Sequence, residues 1–482
     1  MNAYRHFIGG AFADSRDGAT LPVYEPATGA EYATVADGGR ADIDAAVAAA
    51  QHAFPGWAAA GAETRARVLH AIADGVERRL PEFAAAESRD TGKPLSLARD
   101  MDIARAVANC RFFAAAITQF ASESHSQPGL LNYTLRDPHG VVGCISPWNL
   151  PLLLFTWKVA PALATGNCVV AKPSELTPAT ATLFAEVCAD AGLPAGVLNV
   201  VHGRGPSAGQ ALVEHPSVRV LSFTGGTATG SHLAATAAPM LKKLSLELGG
   251  KNPNLVFADC DFNRAVEESV RAAFLNQGQI CLCGSRIYIE RPLYERFRDA
   301  FVDRARALTV GDPNDAGTRI GALTSAAHLE KVLAAIATAR DEGGTILCGG
   351  ERAAVEGRCA DGWFVEPTVI EGLAPGCRTN QDEIFGPVVT LAPFDDEPEA
   401  ISLANGTRYG LIASLWTRDL DRAHRVAAAL DAGIIWINCW MVRDLRTPFG
   451  GVKDSGVGRE GGLEALRFFT EPRNVCIKVA DG

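Results

Sequence analysis

The chain has 482 residues, 48 % apolar and 21 % charged, with a mean hydropathy of +0.06, values of a globular protein with a large buried core. They exclude a single small binding module, a disordered chain and a fibre, and the length sets a soft expectation of roughly three units. Its 45 Lys and Arg against 55 Asp and Glu leave a net charge of −10, which argues against a nucleic-acid partner, because phosphate binding needs clustered positive charge.

The N-terminal stretch Met1 to His6 runs into Gly9-Gly10 with no apolar core of a secretory signal. From 41 to about 120 the sequence is Ala-rich, with apolar residues at helical spacing (Ala45, Ala49, Ala53; Val68, Ile72, Val76) that predict amphipathic helices. The most apolar stretch, Leu150 to Ala171, is interrupted by Lys158 and Asn167 and contains Pro151 and Pro161, which predicts a buried segment and no membrane span. Branched runs begin at Val141, Cys168, Val197, Val218 and Leu244, a spacing of roughly 25 residues that reads as βαβ units and a parallel sheet. Polar loops follow each run: Ser146-Pro147-Trp148-Asn149, Lys172-Pro173-Ser174-Glu175, Gly203-Arg204-Gly205, Thr224-Gly225-Gly226-Thr227 and Gly249-Gly250. They converge at the strand C-terminal ends, where such folds bind ligands. Further strand-like runs at Ile287–Ile289, Val388–Leu391 and Ile434–Ile437 predict a second α/β unit from about 250 to 454.

A dinucleotide needs backbone N–H groups for its pyrophosphate and a partner for its adenine ribose. The run Gly203 to Gly209 has one residue too many for G-x-G-x-x-G, and Gly225 to Gly230 lacks the first spacer, so each is by itself a plain turn or a phosphate turn. Lys172 and Glu175 are placed to hydrogen-bond two ribose hydroxyls or to form a surface ion pair; a carboxylate there would repel a 2′-phosphate and favours NAD over NADP. Twelve cysteines scattered along the chain are too dilute for a disulfide scaffold and fit a reducing, cytoplasmic setting. Cys281 and Cys283 have no His or Cys pair at ligand spacing, so no metal site is expected. A lone Cys is ordinarily an inert buried thiol. Against that stands the loop Asn276-Gln277-Gly278-Gln279, which would surround a thiol with oriented dipoles. A nucleophilic Cys also needs a base, and Glu247, between leucines at a strand end, is the candidate; its alternative is a strand-end charge facing water.

Seven blocks carry a resemblance to the aldehyde dehydrogenase superfamily over essentially the whole chain: Pro147-Trp148-Asn149, Lys172-Pro173-Ser174-Glu175, Phe223-Thr224-Gly225-Gly226, Glu247-Leu248-Gly249-Gly250-Lys251, Asn276 to Gln279 with Cys281, Glu383-Ile384-Phe385-Gly386-Pro387 and Pro448-Phe449-Gly450-Gly451. Where the family's phosphate turn commonly has Ser, this chain has Gly226. The resemblance implies an α/β fold with a Rossmann-like NAD-binding domain (1–119 and 139–249), a second α/β catalytic domain (250–454) and a small β oligomerisation segment (120–138 and 466–482). It implies oxidation of an aldehyde to an acid, with Cys281 as nucleophile, Asn149 and the Cys281 N–H as oxyanion donors and Glu247 activating the hydrolytic water. Cofactor positions would be Ile145 with Ser146, Pro147 and Trp148; Lys172, Ser174 and Glu175; Gly205 and Gly209; Phe223, Thr224, Gly225 and Gly226; Leu248 and Gly249; and Glu383 and Phe385, the last two at the nicotinamide end.

The same resemblance places the substrate pocket at Arg105, Leu150, Leu153, Leu154, Trp157, Leu275, Ile280, Leu282 and Arg443. Arg105 falls inside the apolar stripe of its helix, near Met101, Ala108 and Phe112, so it needs an anion or must pair with a neighbour such as Asp102. Arg443 stands at a loop position usually aromatic or apolar in the superfamily; its alternatives are a salt bridge with Asp444 or a surface loop charge. Two guanidiniums in an apolar tunnel would grip a substrate carboxylate. With the blocks Ile280 to Cys283 and Val442 to Thr447, the sequence is similar to the branch that oxidises 2-aminomuconic or 2-hydroxymuconic semialdehyde in tryptophan or aromatic-ring catabolism. Alternatives are an oxidase of uncharged or cationic aldehydes, a Cys-dependent esterase or amidase without nicotinamide, and a structural protein without turnover. Family members form dimers or tetramers, and the alternation in Arg473 to Val479 suits a strand added to a neighbour's sheet.

Overall fold

The computed structural model describes residues 2–479; Met1 and residues 480–482, part of the expected N-terminal and C-terminal segments, lie outside the described residues. Three of the five sheets among the described residues organise the chain. The first has eight strands in the order Gly456–Val457, Lys243–Glu247, Val218–Thr224, Val141–Ile145, Cys168–Lys172, Leu198–Val200, His6–Ile8 and Ala11–Ala13. Its five central strands are parallel, and each begins within a residue or so of the branched runs in the sequence. Chain order reverses between Val141–Ile145 and Val218–Thr224, the topological switch point at which such sheets open a crevice.

Helices cover this sheet. Ala62–Arg78 buries Ala66, Leu69, Ile72, Ala73 and Val76, close to the predicted stripe. In Arg40–Ala59 the buried face is Ile43, Ala46, Val47, Ala50 and Trp57, one position round from Ala45, Ala49 and Ala53. Alanine occupies every face of that helix, so its spacing does not fix the phase; the larger Ile, Val and Trp side chains do, at about 1.5–3 kcal/mol for each Val or Ile fully buried. The predicted buried stretch becomes the helix Pro151–Ala164, and its Lys158 is fully buried because Glu460 and Ser222 receive the ammonium, at 2.7 and 3.0 Å. Among the described residues no helix is long and apolar enough to cross a membrane.

The second sheet has seven strands, Thr345–Cys348, Thr368–Glu371, Val388–Phe394, Arg286–Glu290, Pro253–Val256, Ile412–Trp416 and Ile434–Ile437, parallel except for the first. The chain then returns to the first unit. Trp440 and Phe449 join the core beneath the first sheet, Gly456–Val457 adds its edge strand, and the helix Gly462–Phe468 packs nearby. The third sheet joins Thr470–Lys478, Leu130–Pro138 and Ser124–Gln127, all antiparallel. The C-terminal strand expected to add to a neighbour's sheet therefore pairs along its whole length within its own chain, where Leu130–Pro138 supplies a matching nine-residue strand.

Candidate active site

The helix Phe262–Phe274 starts on Asp261, whose carboxylate accepts the Arg264 N–H, and stops where Asn276, Gln277 and Gly278 all take positive φ (54°, 56° and 70°). Only glycine fits at 278, because a Cβ there would lie 2.0 Å from the Gly386 carbonyl oxygen. The amides of the loop hold its shape. Asn276 Nδ2 donates to the Asn149 and Gln279 carbonyls (both 3.1 Å), Gln277 Nε2 to Ala322 O (3.1 Å), and Gln279 Oε1 accepts Thr324 N–H (3.1 Å). The amide donors of Asn276 and Gln277 are thus spent on the backbone while their side-chain oxygens stay without a partner, and the loop they lock delivers Cys281.

Cys281 lines two cavities, of about 450 and 280 Å³, which share only it and Thr224 among their walls. Burial and the carboxylates of Glu383 and Glu247 push its thiol up, against a smaller opposing pull from Arg443, so the resting sulfur is protonated. Among the described residues the Cys281 N–H donates to no backbone carbonyl. Asn149 is buried, with its carbonyl receiving Lys93 Nζ (2.9 Å) and its own Nδ2 donating to Gln279 O (2.9 Å). One amide hydrogen remains uncommitted. Glu247, on the same wall as Cys281, is 4 % exposed, which removes the alternative of a charge facing water, and neither carboxyl oxygen has a hydrogen-bond partner. Burial and neighbouring Glu460 raise its pKa well above the carboxylate range, opposed by Lys158, Arg459 and Arg443.

The larger cavity gathers Arg105, Arg443, Leu150, Leu153, Leu154, Trp157, Ile280 and Leu282; of the expected pocket residues only Leu275 is not on its lining. Both guanidiniums lie against Trp157 (5.7 and 5.6 Å to the ring centroid), Arg443 also over Phe449 at 4.1 Å, and Arg105 Nε donates to Asn109 Oδ1 at 3.2 Å. The acids offered as alternative partners are engaged elsewhere: Asp102 with Lys93, and Asp444 with Arg446. Among the described residues neither arginine forms a salt bridge, and burial with repulsion from Arg105 pushes Arg443 down to about 10. The two cations share a mainly apolar cavity with Asp100, Glu247 and Glu460, form an ion pair with none of them among the described residues, and are costly unless an anion joins them.

The smaller cavity sits at the switch point. Pro147, Trp148, Thr224, Gly225, Gly226, Leu248, Gly249, Glu383 and Phe385 line it, as expected; Ile145, Ser146, Lys172, Ser174, Glu175, Gly205, Gly209 and Phe223 lie off its walls, on the same or neighbouring strand ends. Lys172 and Glu175 do form an ion pair (3.1 Å), although Lys172 is buried. The surplus residue in Gly203 to Gly209 is taken up by a π-turn over Gly205–Gly209. The space fits the phosphate and nicotinamide end of a dinucleotide. Gly226 caps the helix Thr227–Ala237 with open room where a side chain would stand, Gly249 leaves room that a Cβ would take from Glu383 Oε2 (2.4 Å), and the buried Thr224 hydroxyl lacks a partner. Trp148 and Phe385 meet edge to face at 5.4 Å, giving a rigid aromatic corner.

Sequence reasoning missed His328 and Lys331 on the cofactor side and Arg271 and Glu460 on the other. Lys158, flagged inside an apolar helix, was the signal that a buried acid such as Glu460 had to exist. His328 and Lys331 follow Ser325, the cap of the helix Ala326–Asp341, and nothing local marks them.

Comparison with known proteins agrees with the geometry. Residues 12–475 match the model of the aldehyde dehydrogenase family. The chain is 49 % identical to a 2-hydroxymuconic semialdehyde dehydrogenase of Pseudomonas sp. (strain CF600), over 99 % of this chain and all of that protein. It is 48 % identical to a 2-aminomuconic semialdehyde dehydrogenase of Danio rerio, over 98 % of each. A solved NAD+ complex of an aldehyde dehydrogenase from Bacillus cereus superposes with a TM-score of 0.97 at 40 % identity, covering 99 % of this chain and 97 % of that one.

Proposed function

The chain belongs to the aldehyde dehydrogenase family, and within it we propose NAD-dependent oxidation of 2-hydroxymuconic or 2-aminomuconic semialdehyde to the acid, in aromatic or tryptophan catabolism. The observation that carries the substrate is the pair of unpaired guanidiniums, Arg105 and Arg443, in the apolar cavity beside Cys281. They clamp the terminal carboxylate through charge-assisted N–H donors while the aldehyde end reaches the sulfur.

The Cys281 thiol gives up its proton to solvent, Sγ bonds to the aldehyde carbon, and the carbonyl π pair moves onto the oxygen as an oxyanion held by the free Asn149 amide hydrogen and the Cys281 N–H. Such a donor is worth about 3–4 kcal/mol in the transition state. Lys172, Glu175, the turns at Gly225 and Gly249, and Glu383 with Phe385 would hold NAD, which when bound supplies the hydride acceptor. Glu247, once deprotonated, takes a proton from water; the water oxygen bonds to the thioester carbon, the C–S bond breaks, and the sulfur regains a proton as the acid leaves.

We assign 1–119 and 139–249 to cofactor binding, 250–454 to the catalytic domain, and 120–138 with 466–482 to assembly into a homodimer or homotetramer. Supporting the last is that both outer strands of the third sheet, Ser124–Gln127 and Thr470–Lys478, keep an unpaired edge in the chain. Twelve cysteines, all without disulfides, support a cytoplasmic setting.

The test compares kcat/KM for 2-hydroxymuconic semialdehyde and for an uncharged aldehyde of similar length, with NAD, in wild type, Arg105→Ala and Arg443→Ala. A loss of about 10- to 100-fold confined to the acid-bearing substrate is expected. Equal, mild effects on both substrates would remove the clamp and the substrate assignment, leaving the dehydrogenase.

A further inference from the structure

Behind the oxyanion side of the pocket lies a cluster of buried charges that the chemistry above does not use. Lys93 and Asp102 are both fully buried and paired with each other. The same ammonium donates to the Asn149 carbonyl at 2.9 Å. Glu87, also fully buried, accepts the Leu152 N–H (3.2 Å) and the Thr180 hydroxyl (2.7 Å), tying the cluster to the first turn of the helix that carries Leu153, Leu154 and Trp157. Burial and Asp102 push the Glu87 carboxyl up, against the opposing pull of Lys93.

Backbone links extend the cluster to the nucleophile loop. Gly92 O accepts the Ala322 N–H (2.9 Å), and Ala322 O in turn accepts Gln277 Nε2. Asp102 reaches Lys93 from the π-turn Ala98–Ile103, which turns it inward while Asp100 and Met101 line the substrate cavity. π-turns are rare and tend to accompany functional sites. Sinking an ion pair into a core is at best neutral for stability against apolar residues of the same size, so this one is poorly explained by stability. A charge-assisted bond to one peptide carbonyl does something else: it fixes the Asn149 backbone, and hence its amide, against the Cys281 loop.

We propose that Lys93, held by Asp102, is a positioning residue that sets the pose of the Asn149 amide for the developing oxyanion. The inference rests on the reading of Asn149 as oxyanion donor. It acts before hydrolysis, on the step in which the sulfur adds and the aldehyde carbon is oxidised.

The test is a double-mutant cycle in the full-length enzyme, read as single-turnover NADH formation at 340 nm with 2-hydroxymuconic semialdehyde. Lys93→Met should slow this step by roughly 10- to 100-fold with KM for aldehyde and NAD within about threefold, the signature of a misplaced group and intact binding. In an Asn149→Ala background the same change should cost less than about twofold, because the amide it positions is gone. Lys93→Met/Asp102→Leu removes both charges together and is expected to behave alike, which keeps the test usable if the single variant leaves Asp102 unpaired and misfolds. Equal losses in both backgrounds, or an unimpaired Lys93→Met beside a crippled Asn149→Ala, would overturn the positioning role and leave the oxyanion reading standing. An Asn149→Ala enzyme as fast as wild type would overturn that reading and the proposal with it.

Discussion

At the scale of single residues, Glu247 combines burial, a raised pKa and two carboxyl oxygens without partners. As a base it works only when deprotonated, and a raised folded-state pKa means that form is populated only as pH climbs through it. Turnover should therefore rise with pH across a limb that lies above the ordinary carboxylate range. Glu247→Gln should keep the first burst of NADH, lose about 100- to 10,000-fold in steady-state turnover and lose the limb. A burst abolished together with turnover would instead place Glu247 in the first half-reaction. Cys281, Glu247 and Arg105 were legible in the sequence because each is a polar group in an apolar or glycine-rich setting, where chemistry must account for it, and Arg443 only through the family resemblance. Lys93 and Glu460 were not, because a buried ion pair is visible only with both partners, and Glu460 lies 302 positions from Lys158.

At the scale of elements, the turn Asn276–Gly278 has no freedom. Gly278→Ala would combine a positive φ of 70° with a Cβ 2.0 Å from a carbonyl oxygen. We expect a cost above about 2 kcal/mol, or a displaced loop with activity down at least tenfold, checked by melting temperature and kcat. Gly226→Ser, where φ is −67° and a side chain meets open space, should leave both nearly unchanged. The five parallel strands were readable because a buried parallel strand needs a continuous branched run, which is a local property. The phase of the helix Arg40–Ala59 was not, since alanine buries almost as readily as it is exposed. The cis pairing of Thr470–Lys478 with Leu130–Pro138 was hidden for another reason: alternation predicts a strand and says nothing of its partner.

At the scale of the whole molecule, stability against acid draws on a buried histidine beside the cofactor side of the sheet. His202 is fully buried, stacked 6.2 Å from His6 and hydrogen-bonded to Thr182, and burial with nearby His6 and Lys172 pushes it down to about 3. The unfolded chain takes up that proton near pH 6.5, so the contribution of a neutral His202 is present above 6.5 and is lost as pH falls toward 3. The window is worth on the order of 5 kcal/mol. Denaturation midpoints of His202→Asn measured from pH 7 to 4 should fall less steeply than those of wild type; parallel curves would contradict the assignment.

The late return of the chain to its first sheet has a consequence for biosynthesis. Residues 141–247 leave the ribosome early and can lay down the central strands, yet Lys158 has no counter-charge, and the edge beside Lys243–Glu247 no cover, until 456–460 are made. A nascent chain therefore carries its future reaction chamber half-walled through most of translation. A product cut short before residue 456 keeps Cys281, both arginines and the proposed cofactor contacts, yet loses Glu460 from the cavity wall and leaves the Lys158 ammonium without its partner. Such a chain lacks one half of the ion pair that, in the finished molecule, tunes the neighbouring base.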